Sequence, residues 1–289
     1  LEYGPGIQRV SGDPIPAKDA TDGFPTVDCG RLRVTAEGLG FRSPGRKDGE
    51  TVLSPAALRG AFVTHEDGTT YTMPATGAYA IEEHGNRKIV VRRTGWYTAK
   101  DTGKRFCQFV TRFVFHRDSP VMRIFHTWIY TGNDKKDRIR HMGWRFPAAA
   151  DTTPGGFLTA FEDGRWVSEK SLVQFDYRTF LLPGSGREHP GRTPGVLRAK
   201  VGGTHVLFGA KDFWQNFPSE LAFRDDSFVF YNWPRHNPPA RSGAPASPGH
   251  AFRNRWLHEG ELLDFRLPEP YTAGDIWRIA THGGTYPLW

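Results

Sequence analysis

The chain has 289 residues, of which 38% are apolar and 24% charged, with a formal net charge of +7. That balance excludes a membrane-embedded or wholly disordered polypeptide, and no run approaches the roughly 18 apolar residues of a membrane helix. The positive charge suits an anionic partner, whether nucleic acid, an acidic polysaccharide or a membrane surface, yet "RKDGE" and "NDKKDRIRH" mix both signs as a solvated surface does.

Both ends read as cut. "LEYGPGIQRV" has neither an initiator Met nor a signal-peptide pattern, and "GTYPLW" stops on an aromatic. The expectation is a processed product or a fragment of a longer protein. Gly 33, Pro 22 and 13% aromatic residues favour many short strands broken by turns.

In chain order, "GRLRVTAEGLGF" is the first strand-like stretch. "SPAALRGAF" (Ser54 to Phe62) predicts a turn or two of helix. "KIVVRRTGWYTA" reads as a strand, and a domain boundary is expected near Gly95 to Gly103, dividing a β-rich segment 1–98 from an antiparallel sandwich 99–289. Phe106 to His116 then alternates with period two, placing Cys107, Phe109, Thr111, Phe113 and Phe115 on one face. After "RDSP", Val121 to Tyr130 places Met122, Ile124, His126, Trp128 and Tyr130 together. The two predict a long antiparallel hairpin, apolar on both faces and therefore covered on both. Leu182 to Gly195 reads as a turn-rich loop, "VLRAKVGGTHVLFGA" as two strands, and "KDFWQNFPSEL" as a short helical turn limited by Pro218. "LAFRDDSFVFYNW", "ELLDFRLPE" and "IWRIATHGG" are further strand candidates, and "NPPARSGAPASPG" is a Pro-rich loop. The fold class expected is all-β, a large antiparallel β-sandwich with few short helices.

The chain contains no GxGxxG, P-loop, HExxH, GxSxG or EF-hand sequence, so dinucleotide, nucleotide and zinc-protease chemistry lacks its usual residues. Cys29 and Cys107 match no zinc spacing; they read either as small buried hydrophobes or as one long-range disulfide. No Lys/Arg stripe marks a nucleic-acid module.

What remains is a group of loop-like segments rich in His, Arg, Trp, Tyr and Asn. "KDFWQNFP" carries Lys211, Trp214 and Asn216; "YNWPRHNPP" carries Tyr231, Trp233, Arg235 and His236; "FRNRWLHEG" carries Arg253, Arg255 and His258; His282 lies near the end. These are the residue types an anionic sugar needs. Aromatic faces stack on pyranose rings, Arg forks pair with carboxylates, and amides satisfy hydroxyls. β-Elimination of a uronate requires a base, an acid, and a cation to hold the developing charge. On that basis His236, His258 and Tyr231 are the catalytic candidates, and Trp214, Asn216, Trp233, Arg235, Arg253 and Arg255 the substrate-binding ones. No carboxylate pair for hydrolysis declares itself. His126 sits mid-strand and reads as a hydrogen-bonded core residue. Trp233 precedes a proline, a common position for a packing anchor.

The segment Gln108 to Phe146, with its aromatic strand, Ser119-Pro120 turn, Arg123-Ile124-Phe125-His126-Thr127 strand and Gly132-Asn133-Asp134 turn, resembles the central β-sandwich of exo-rhamnogalacturonan lyase-like proteins, polysaccharide lyase family 26. "VDCGRLRVT", "FWQNFPSEL", "NWPRHNPP" and Ala280-Thr281-His282 are similar to that family too. The positions with suitable chemistry are His126, Trp214, Trp233, His236 and His282. The resemblance implies a polysaccharide lyase acting on a pectin-like, uronate-containing glycan, in a secreted or periplasmic setting. It also implies a helical toroid beyond the sandwich and a β domain before it, so further domains or chains are expected partners. Nucleic acid and membrane are not. No cofactor is expected; a divalent cation such as Ca2+ is compatible with the chemistry but not indicated. The alternative is a non-catalytic carbohydrate-binding or structural module.

Overall fold

In a computed structural model of the chain, the described residues are 12–20, 23–42, 50–65, 67–133, 137, 139–176, 179–216 and 219–232. They form three antiparallel sheets and one short 3-10 turn, Pro55–Arg59. The expected all-β sandwich is what the chain adopts.

The first sheet is a meander of β1 (Ala17–Lys18), β2 (Thr26–Asp28), β3 (Leu32–Thr35), β4 (Gly38–Phe41) and β5 (Glu50–Leu53). The large sheet begins with β6 (Ala61–His65), β7 (Thr70–Thr72), β8 (Ala80–His84), β9 (Lys88–Ala99), β10 (Arg105–His116), β11 (Met122–Ile129) and β12 (Ile139–Pro147). The chain then leaves for β13 (Gly155–Ala160) and β14 (Trp166–Ser168), and returns as β15 (Ser171–Asp176), β16 (Thr179–Leu182) and β17 (Arg187–Pro190). β18 (Val196–Val201) and β19 (Thr204–Gly209) complete a four-stranded sheet in the order β14-β13-β18-β19. β20 (Ser219–Arg224) and β21 (Ser227–Tyr231) rejoin the large sheet, whose path runs β11-β10-β9-β7-β6-β12-β21-β20-β15-β16-β17.

The large sheet curls. Four strands separate β11 from β12 along that path. Even so, the His126 ring on β11 meets Trp144 on β12 edge-on at 4.9 Å between centroids. The twist of a long sheet and the bulges within it allow such closure. One irregularity lies between Arg105 and Gln108, where Cys107 takes φ 61° and its amide donates to Thr131 Oγ1 at 3.0 Å. Sheet–sheet packing is aromatic: Phe24 meets Phe113 at 5.0 Å, and Phe146 meets Phe208 at 4.6 Å.

Two glycines set how closely strands approach Trp144. A Cβ on Gly60 would lie 1.7 Å from the Arg145 carbonyl oxygen, and one on Gly143 would lie 2.0 Å from that of Phe230. Neither position accepts a side chain without moving backbone.

Several local expectations are revised. "SPAALRGAF" holds the 3-10 turn but gives way to strand at Ala61, because Phe62, Val63 and Thr64 are β-formers placed to pair with β12. "KDFWQNFPSEL" forms turns at 211–216 and then β20. The supposed loop 182–195 contains β17, paired with β16. The hairpin itself matches its sequence reading closely, but it is covered on one face only. On β11, Met122, Ile124, His126 and Trp128 are half-buried, while Arg123, Phe125, Thr127 and Ile129 are exposed, Phe125 by 57%. Both cysteines are free and buried.

Candidate functional site

A cleft of about 870 Å³ opens among the described residues, within the rough range of 300–1,000 Å³ typical of ligand sites. One wall is β11 with β12, contributing Ile124, His126, Trp128, Trp144 and Phe146. The opposite side is β19 with the residues that follow it, and the end is closed by Arg31, Leu39, Phe41 and Arg42 of the first sheet. Phe228, Phe230 and Asn232 complete it from β21 and its exit.

The lining divides by depth. Leu39, Leu53, Trp144, Phe146, Val206 and Phe228 are buried and form an apolar floor. Arg31, Val121, Thr127, His205, Leu207 and Lys211 are exposed and form the rim. Among the described residues lining the cleft there is no carboxylate; the lining cations are Arg31, Arg42 and Lys211, the last two paired with Asp28 and Asp212 beside it.

Asp28 orients Arg42, with Nη2 at 3.1 Å from one carboxylate oxygen and Nη1 donating at 3.3 Å to the other. Arg42 Nε and Trp128 Nε1 are buried donors with no hydrogen-bond partner among the described residues. Buried donors normally find acceptors, and these two belong to residues lining the cleft. Lys211 is exposed, with Nζ 2.6 Å from Asp212 Oδ2.

His126 is enclosed despite its place in the wall. Nε2 lies 2.5 Å from Tyr97 Oη and Nδ1 lies 2.6 Å from Thr111 Oγ1. A neutral imidazole has one donor and one acceptor nitrogen, so one hydroxyl donates to the ring and the other accepts from it. Trp128 meets the ring edge-on at 4.4 Å. Burial pulls the His126 pKa down to about 3, so the ring stays neutral at ordinary pH. It acts as a hydrogen-bonded spacer, in line with its mid-strand position.

The residues singled out by sequence fall into three groups. Asn216 lines the cleft, on the turn that follows β19, and its Nδ2 donates to the Lys211 carbonyl at 3.5 Å. Trp214 does not line it; the Arg192 guanidinium covers one face of its indole at 4.0 Å. Tyr231 turns into the core: it is 2% exposed, and its ring lies edge-on to Phe62 at 5.6 Å. The period of β21 explains this, since Phe230 points to the cleft and Tyr231 to the opposite face. A catalytic role for Tyr231 does not fit that burial. Trp233, Arg235, His236, Arg253, Arg255, His258 and His282 lie outside the described residues.

Sequence reasoning missed Arg31, Arg42 and His205. They sit within short strand-like stretches, far apart in sequence, and only tertiary packing brings them to one cleft. Arg31 and Arg42 did carry a signal: they bracket the β3–β4 hairpin and so emerge at the same end of it.

The described residues thus form an antiparallel β-sandwich with a groove that has an aromatic wall and cations among its lining. Residues 59–154, from β6 through β12, match the family model described as PcRGLX-like protein central beta sandwich domain. That stretch is thus similar to the central sandwich of exo-rhamnogalacturonan lyase-like proteins, in agreement with the resemblance of Gln108 to Phe146. The match includes the β11–β12 wall of the cleft and leaves the β19 side and the Arg31–Arg42 end outside it. No curated protein matches the chain.

Proposed function

We propose that the chain is the saccharide-binding sandwich of a lyase-like protein acting on an acidic, uronate-containing glycan of the pectin or rhamnogalacturonan type. The observation that carries this reading is the cleft itself: an aromatic wall, exposed Arg31, His205 and Lys211 at the rim with half-buried Arg42 beside them, and no lining carboxylate among the described residues. Guanidinium and ammonium groups at the rim pair with uronate carboxylates. The unpartnered Trp128 Nε1 offers a hydrogen to a sugar oxygen. Asn216 offers both an acceptor and donors to hydroxyls.

β-Elimination withdraws the proton on the carbon next to the carboxylate and expels the glycosidic oxygen. The rim cations stabilise the negative charge that builds on the carboxylate. The proton transfers fall to His236 and His258, with Arg235, Arg253, Arg255 and Trp233 as further sugar contacts; sequence alone supports these assignments. Trp214, with one face taken by Arg192, retains at most its other face for a sugar.

A non-catalytic binding module is the second reading. It is favoured by one observation: the wall histidine, His126, is neutral with both nitrogens engaged, so it supplies no proton transfer. Titration with acidic and neutral oligosaccharides, paired with ultraviolet detection of unsaturated uronate, separates the readings. Salt-sensitive binding with product formation supports a lyase, and binding without product supports the module. No affinity for any acidic glycan would end both.

A further inference from the structure

The four-stranded sheet turns one face inward and one outward. Leu197, Ala199 and Val201 of β18 and Val206 of β19 are buried. Side chains alternate along a strand, so Arg198 and Lys200, with His205 and Leu207, stand on the outer face. Register draws one row across all four strands there, Ser168–Leu158–Arg198–Leu207, with Lys200 paired to His205 in the next row. Trp166 on β14 and Leu207 on β19 mark opposite margins of this face, 42% and 62% exposed. Every residue of β19 lines the cleft, so the cleft opens onto the outer face past His205 and Leu207.

The four strands contain Arg198, Lys200 and His205 and no Asp or Glu. Lys200 and His205 are exposed, and among the described residues neither has a hydrogen bond or ion pair. The Arg198 guanidinium lies 5.9 Å from the centre of the Trp166 ring, at the limit of cation–π reach. Its Nε is a buried donor without a partner among the described residues. Carboxylates in the connecting turns are engaged or distant. Glu50 accepts from the Gly203 amide and the Thr204 hydroxyl, Arg165 holds Asp163, and Glu162 sits in the β13–β14 turn, at the end of the sheet away from Lys200. Six residues at about 3.4 Å by four strands at about 4.8 Å make a face of at most about 400 Å². A specific protein partner covers roughly twice that, about 800 Å². A narrow, flat strip of aromatic, aliphatic and basic groups fits a saccharide chain bearing carboxylates better than it fits a folded partner.

We propose that this outer face is a second subsite for the acidic glycan. A chain seated in the cleft continues over β19, past His205 and Leu207, and lies across the sheet to Trp166, its carboxylates met by Lys200 and Arg198. The proposal rests on the glycan reading of the cleft and extends its ligand from a short saccharide to a polymer. Once one end is held in the cleft, each contact on the outer face forms intramolecularly, so affinity rises with chain length.

Titration of the full chain with oligogalacturonates, a disaccharide and a long oligomer, tests it. The long oligomer is expected to bind at least about tenfold more tightly. Trp166→Ala and Lys200→Glu are each expected to remove most of that advantage and to leave disaccharide binding unchanged, whereas Lys211→Ala weakens both. Should Trp166→Ala fail to fold, Lys200→Glu, at an exposed position, carries the test alone. Equal affinity for both lengths in the parent chain overturns the proposal and leaves the cleft reading standing. So does a length advantage that survives both variants, or a loss that falls equally on the disaccharide. Polyglutamate of matching length that binds as tightly, with the same sensitivity to both variants, would make an acidic polypeptide the occupant and overturn it. Binding of neither oligogalacturonate would remove the cleft reading and the proposal together.

Discussion

The two sides of the cleft are built from different materials. The β11–β12 wall is aromatic, tightly packed and inside the matched sandwich domain, with His126 held between Tyr97 and Thr111 and Trp144 donating to the Ala57 carbonyl at 2.8 Å. The opposite side, from β19 to Lys211 with the Arg31–Arg42 end, is more exposed and more charged, and lies outside that match. One wall is packed into the core and the other presents exposed charge. Substitutions on the first should therefore cost stability, and substitutions on the second should cost binding.

The largest effect should come from Trp144→Ala. It removes a side chain only 4% exposed and should destabilise by about 3–5 kcal/mol in denaturant unfolding. A loss below about 1 kcal/mol would show that the wall is not part of the core. His126→Leu comes next, because it strands the Tyr97 and Thr111 hydroxyls; each buried, unpaired hydroxyl costs about 1–3 kcal/mol.

The same histidine sets a pH signature. Its folded pKa is depressed to about 3 from an ordinary 6.5, so the unfolded chain takes up a proton that the folded chain refuses. Its contribution is therefore most favourable above pH 6.5 and erodes as pH falls towards 3, by up to about 1.4 kcal/mol per pH unit. His126→Gln should flatten that part of the stability–pH curve; an unchanged slope would refute the enclosed, neutral ring.

On the charged side, Arg31→Ala and Lys211→Ala should move unfolding by no more than about 0.5 kcal/mol. Each should weaken binding of an acidic oligosaccharide by about tenfold, less so at high salt. If these variants destabilise as much as the wall variants, the division between the two sides fails. The smallest effect concerns the thiols. Burial raises Cys29 to about 11 and Cys107 to about 12, so both should resist alkylation in the native chain at mildly alkaline pH and react on unfolding. Rapid native labelling of either would contradict its burial.

Local pattern carried much of the fold. β9 coincides with "KIVVRRTGWYTA", the β10–β11 hairpin ends within a residue of its reading, and "VLRAKVGGTHVLFGA" breaks into β18 and β19 at Gly202–Gly203. Each of these follows from period two and a turn, both short-range signals. The exposed outer face of β11 was misread because Phe125 and Ile129 look buried by type; whether a second layer covers a sheet is decided far away in sequence. The site was legible only in part. Asn216, singled out by its turn-rich surroundings, lines the cleft, whereas Arg31, Arg42 and His205 meet there through sheet packing that their local sequence does not announce as a site. Tyr231 was misassigned because composition marks a residue as chemically able, and strand parity then decides which way it points.

The glycines beside Trp144 extend the argument to positions that never touch a ligand. The Gly143 Cα faces the Phe230 carbonyl so closely that even a methyl group would push β21 away from β12. Phe230 and Asn232 would move with it, and both line the cleft. The width of the groove is thus gauged by an atom the chain omits: alanine at this position would act as a shim, respacing the site from behind while leaving each of its lining side chains intact.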